Sequence, residues 1–116
     1  MSLLEELSGY GADIQDGLNR FANHSALYEK MLKKFPDAVK KTEVQCYFQA
    51  NDFEQALANA HTLKGMTGNL SLTPLYKAYT DVVALLRQGK PEEAREIFEK
   101  VLPIQEKIVA CIQAHI

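Results

Sequence analysis

Apolar residues in this chain recur three and four positions apart from one end to the other, and no segment alternates apolar with polar. That period belongs to helices and leaves no half-buried strand to build a sheet from. Ile14, Leu18 and Phe21 form one such stripe, ahead of which Asp13 stands as a helix N-cap. Leu3, Leu4 and Leu7 suggest a turn or two before it. Tyr28, Met31, Leu32, Phe35 and Val39 predict a longer helix, kinked or briefly broken at Pro36 and continuing to about Ala50. Asn51 and Asp52 each precede an acid or amide three residues on, Glu54 and Gln55, which marks the start of the next helix. Thr73-Pro74 predicts an N-cap followed by proline at the first helical position, for a helix carrying Leu75, Ala78, Val82 and Leu85 and closed by Gly89. Pro91-Glu92-Glu93 opens the last helix, whose apolar face is Ala94, Ile97, Phe98, Val101, Ile108, Cys111 and Ile112 and which Pro103 should bend. Four long helical stretches on short connections predict an all-α fold, an antiparallel up-down four-helix bundle with short additional N-terminal helices.

A chain of 116 residues is read as a single domain over 1–116, with residues 1–12 as an N-terminal extension. The formal net charge of −2 argues against a nucleic-acid partner, which calls for a basic face. No apolar run exceeds the five residues of Val82–Leu86, far too few to span a bilayer, and no basic-then-apolar leader opens the chain. A cytoplasmic protein is expected. Cys46 and Cys111 form no CxxC pair and fall in helical segments, where cysteine is expected as a small buried apolar residue in a reducing compartment.

The helix that begins near Asp52 carries the stretch AHTLKGMTGNL, Ala60 to Leu70. Each glycine inside a helix costs about 1 kcal/mol relative to alanine. At roughly 100° per residue, Phe53, Ala56, Ala60, Leu63, Thr67 and Leu70 gather into a core stripe. His61, Lys64, Gly65 and Gly68 share a different face, because i, i+3, i+4 and i+7 line up. Small residues on a helix signal close approach of another body. On an outward face, that body is a separate protein, and it arrives beside an imidazole.

Neutral histidine is a nucleophile, and its ordinary pKa of about 6.5 leaves most of it neutral near pH 7. An exposed ring nitrogen can accept a phosphoryl group, a lysine one turn away can neutralise the phosphoryl oxygens, and bare backbone lets a donor approach in line. The pattern therefore assigns His61 as nucleophile, Lys64 as electrostatic stabiliser, and Gly65 and Gly68 as cleared ground for docking, with Leu57 either a docking neighbour or ordinary core.

AHTLKGMTGNLS resembles the active-site helix of the histidine phosphotransfer domains of two-component phosphorelays, which carry lysine three and glycine four residues after the histidine. GLNRFANHSALYEKMLKKF resembles the N-terminal stretch of that family, and VVALLRQGKPEEAREIF its last helix pair. One departure is Ser71, where many members place glycine; a serine there is expected to matter little beyond the helix end. The resemblance implies a bundle with a phosphorylatable histidine on its surface and no kinase activity of its own. It implies response-regulator receiver domains or a hybrid histidine kinase as partners, with Mg²⁺ held by the receiver and no cofactor held by this chain. A monomer is expected, since the nucleophile's face must stay free. Two rival readings remain. One is a non-catalytic helical-bundle interaction module that docks a signalling partner through the same glycine-containing face. The other is a metal centre among His24, His61, His115 and the cysteines, set aside because HExxH and CxxC are absent and no helical ligand spacing is read among them.

Overall fold

The computed structural model describes all residues, 1–116, and contains helices and no strands. The helices are α1 (Leu3–Gly9), α2 (Ile14–Arg20), α3 (Ser25–Leu32), α4 (Phe35–Lys41), α5 (Gln45–Gln49), α6 (Phe53–Asn69), α7 (Thr73–Arg87) and α8 (Pro91–Gln113). Short connections at 70–72 and 88–90 fold α7 back on α6 and α8 back on α7. These three long helices form most of the bundle. The fourth wall is built from α3, α4 and α5.

That wall is more broken than its apolar stripe predicts. At Pro36 the short break forms rather than a kink: α3 ends at Leu32, and Pro36 sits in the first turn of α4, where its missing N–H has no partner to lose. A second break follows at Thr42–Val44, so the helical pattern expected to reach Ala50 is divided into α3, α4 and α5. Tyr28, Leu32, Phe35, Val44 and Phe48 still bury themselves, which shows that the core contacts survive where the helix does not. Cys46 is exposed on α5, contrary to expectation, whereas Cys111 is buried on α8.

Residues 1–12 contribute Leu3, Leu7 and Ala12 to the core. Ser2 caps α1 by accepting from the Glu5 N–H, Leu3 and Leu7 are buried, and α1 packs on α8. Asp13 caps α2 as its position predicts, accepting from the Asp16 N–H at 3.1 Å. Asp52 does the same for α6, accepting from the Gln55 N–H at 3.2 Å. Thr73 does not cap α7. Leu72 occupies that position, Thr73 and Pro74 open the helix, and the Thr73 hydroxyl turns back to the Ser71 carbonyl.

α6 and α7 end alike. Gly89 follows α7 at φ +72°, and the Lys90 and Gly89 N–H groups bond to the Leu85 and Leu86 carbonyls. Ser71 follows α6 at φ 55°, and the Leu72 and Ser71 N–H groups bond to the Thr67 and Gly68 carbonyls. Both are Schellman ends, which favour glycine at the left-handed position. In serine that conformation is strained by about 1–2 kcal/mol.

Two tyrosines complete the core. The Tyr79 hydroxyl donates to the buried amide oxygen of Gln105. The hydroxyl end of the Tyr28 ring lies against Gly17 of α2 and donates to the Leu70 carbonyl at 2.7 Å. Burial pushes the Tyr28 phenol up to about 12, so it stays a donor. This bond holds the α2–α3 corner over the C-terminal end of α6.

Candidate functional site

His61 lies midway along α6 with buried Ala60 before it and buried Leu63 after it, and its own ring is exposed. Alanine and leucine on the inner stripe anchor the helix, so the outward direction of residue 61 follows from the 3.6-residue turn. Lys64 is partly exposed one turn on. The ion pairs of the chain, Arg20–Asp16, Arg95–Glu92, Lys100–Glu96 and His115–Glu6, engage neither His61 nor Lys64. Gly65 is exposed, and a Cβ added there meets no atom within 4 Å. The backbone beside the imidazole is bare.

Gly68 is not. A Cβ there would stand 2.9 Å from two ring carbons of Tyr76 on α7. Of the two glycines expected to clear ground for an outside body, Gly65 has open space above it, whereas at Gly68 the approaching body is this chain's own aromatic ring. Leu57, one turn before His61, is half-buried and packs against the core.

A polar depression surrounds the histidine. His61, Lys64 and Gly65 line it from α6, Tyr76 from α7, and Asp16 and Arg20 from α2. Its inner end is tied together by one carboxylate oxygen. Asp16 Oδ2 accepts from Arg20 Nε at 2.8 Å and from the Ser71 hydroxyl at 2.6 Å. The Arg20 guanidinium first, and the Ser71 hydroxyl second, hold the Asp16 carboxyl below the usual carboxylate range. The Asp13 N–H adds a bond to the Ser71 carbonyl at 2.9 Å. Ser71 therefore matters more than a small residue at a helix end: it fastens α2 to α6. The sequence marks Ser71 only as a departure from the family pattern, and it gives no reason to single out Asp16, Arg20 or Tyr76 as site residues. The four-residue spacing of Asp16 and Arg20 was a visible signal for their ion pair, but nothing local places α2 beside α6.

Away from this face, Cys111 and His115 stand four residues apart on the last helical turns, a ligand-like spacing that the reading of the cysteines and histidines overlooked. Both reach Glu6 of α1, the thiol at 3.2 Å and the imidazole Nε2 at 3.0 Å. Burial, aided by the Glu6 carboxylate, pushes the Cys111 thiol up to about 11, so it remains a neutral donor. The cluster is a hydrogen-bonded clasp between α1 and α8, and no three His, Cys, Asp or Glu side chains in the chain are placed to hold a metal ion. His24, at the start of α3, is exposed and caps nothing through its side chain.

The helical bundle thus presents an unengaged histidine beside bare backbone. The Hpt domain family model matches residues 2–115, and the chain belongs to that family. Hpt domains act in two-component phosphorelays, where they meet receiver and kinase domains. No curated protein and no solved structure gives a significant match. No helix of the protein is long and apolar enough to cross a membrane.

Proposed function

We propose that this protein relays a phosphoryl group between receiver-domain aspartates through a phosphohistidine on His61. The exposed ring beside the empty space over Gly65 is the observation that carries this reading. A lone pair on one imidazole nitrogen attacks the phosphorus of an aspartyl phosphate. The N–P bond forms as the P–O bond to the aspartate breaks, and the carboxylate leaves with the electron pair. The ring proton stays on the other nitrogen. Transfer onward reverses these steps, with His61 as leaving group and a second aspartate as acceptor. Lys64 neutralises charge on the phosphoryl oxygens. Gly65 keeps the approach open, and Leu57 and Gly68 lie at the margins of the docking face.

Mg²⁺ and the acidic pocket belong to the receiver in this reading, and the chain works as a cytoplasmic monomer without kinase activity. The test is incubation with phosphorylated receiver domains or a hybrid histidine kinase. Acid-labile label should appear on the wild-type protein and vanish in His61→Gln. Label that persists in that variant removes the site assignment. Stable binding without any label favours the interaction-module reading instead. Gly65→Gln should impair receiver-dependent labelling while leaving the domain folded, as judged by circular dichroism.

A further inference from the structure

Arg20 stands where two hollows meet. It lines the polar depression around His61, and it also lines an apolar groove walled by Phe21, Met31, Phe35 and Met66. Its Nε is spent on Asp16, while neither Nη group has a partner within the chain and half of the side chain is open to solvent. A guanidinium held by its inner nitrogen presents the outer edge of its fork, which matches a carboxylate in two-point geometry. Lys34, which also lines the groove, adds a second cation.

The support behind Arg20 is costly for the backbone. Ser71 adopts a left-handed conformation that glycine would take without strain, and its hydroxyl binds the same Asp16 oxygen that anchors Arg20. Any protein that reaches His61 and also covers the adjoining groove must pass over this guanidinium. In the relay reading the aspartyl phosphate donor lies in an acidic pocket of the receiver, so the charges that meet here are of opposite sign.

Resting on the relay reading of His61, we propose that Arg20 is a specificity-determining docking residue. Its free Nη groups pair with a carboxylate on the receiver, and an apolar segment of the receiver beside that carboxylate lies in the groove. Arg20 positions the partner and takes no part in the chemistry.

The test uses the full chain, its R20Q, R20K and R20E variants, and whichever member of a receiver-domain panel phosphorylates wild-type His61 fastest. R20Q should raise the KM for the phosphorylated receiver by about tenfold, leave kcat within about twofold, and flatten the salt dependence of kcat/KM. R20K should recover part of the loss, and R20E should exceed R20Q because it faces a like charge. The unfolding midpoint of R20Q should stay close to wild type, since the pair it breaks is half exposed. An unchanged KM and salt slope in R20Q overturns the proposal, as does a fall in kcat at constant KM, which would move Arg20 into the phosphoryl chemistry. If no receiver in the panel labels the wild-type protein, the relay reading itself fails, and that result appears before any Arg20 variant is made.

Discussion

Gly17 and Gly68 are each covered by a tyrosine of this chain, whereas Gly65 is covered by nothing. All three lie in helices, where alanine would be the more stable choice. The contrast shows that a helical glycine has two unlike uses. It can seat a ring from a neighbouring helix, or it can leave backbone bare at the surface. Only the elements packed around the residue distinguish the two.

The sharpest way to break this contrast is Gly17→Ala. The new methyl would lie 2.3 Å from the Tyr28 ring, and Tyr28 is fully buried with no room to retreat. A loss of about 3 kcal/mol in urea unfolding is expected, combining overpacking with the lost bond to Leu70. A midpoint equal to wild type would show that the ring is free to move. Tyr28→Phe isolates the bond alone, and stranding the Leu70 carbonyl should cost about 1–2 kcal/mol.

Gly65→Ala should act in the opposite direction, raising stability by about 0.5–1 kcal/mol in the same assay. A loss there would mean that the strip beside His61 is occupied after all. Gly68→Ala should fall between the others, close to neutral. Tyr76 is 40% exposed, so its ring can swing outward and offset the gain in helix propensity. In a Tyr76→Ala background the same substitution should become stabilising.

The smallest effect concerns pH. Asp16 has a folded pKa below its unfolded value, so its contribution is complete above the ordinary carboxylate range and is lost as pH falls through the lowered value. The stability difference between wild type and Asp16→Asn should therefore be level near neutrality and close up below about pH 4. A difference that widened on acidification would contradict the Arg20 and Ser71 bonds to this carboxylate.

What could be read from sequence follows the range of the forces involved. The inner stripe of α6, the Asp52 cap and the Gly89 end depend on residues within a turn or two, and each is legible in the chain as written. The exposed face of His61 follows from the same period. The fate of Gly68 does not, because Tyr76 comes from the next helix. Ser71 was legible as a departure from the family pattern, but its meaning depends on Asp16, fifty-five positions away. The break at Lys33–Lys34 is the local one that Pro36 announces, whereas the break at Thr42–Val44 is tertiary: buried Val44 and Phe48 reach the core by leaving the helix.

Pro103 lies inside α8, so no N–H is available there for the Glu99 carbonyl, and both residues face water. The longest rod of the molecule thus has a missing rung at mid-length on its wet side. Amide hydrogens of α8 should exchange as two cooperative blocks, with the half beyond the gap opening together with the α1 clasp at Glu6 rather than with the helix that bears the imidazole.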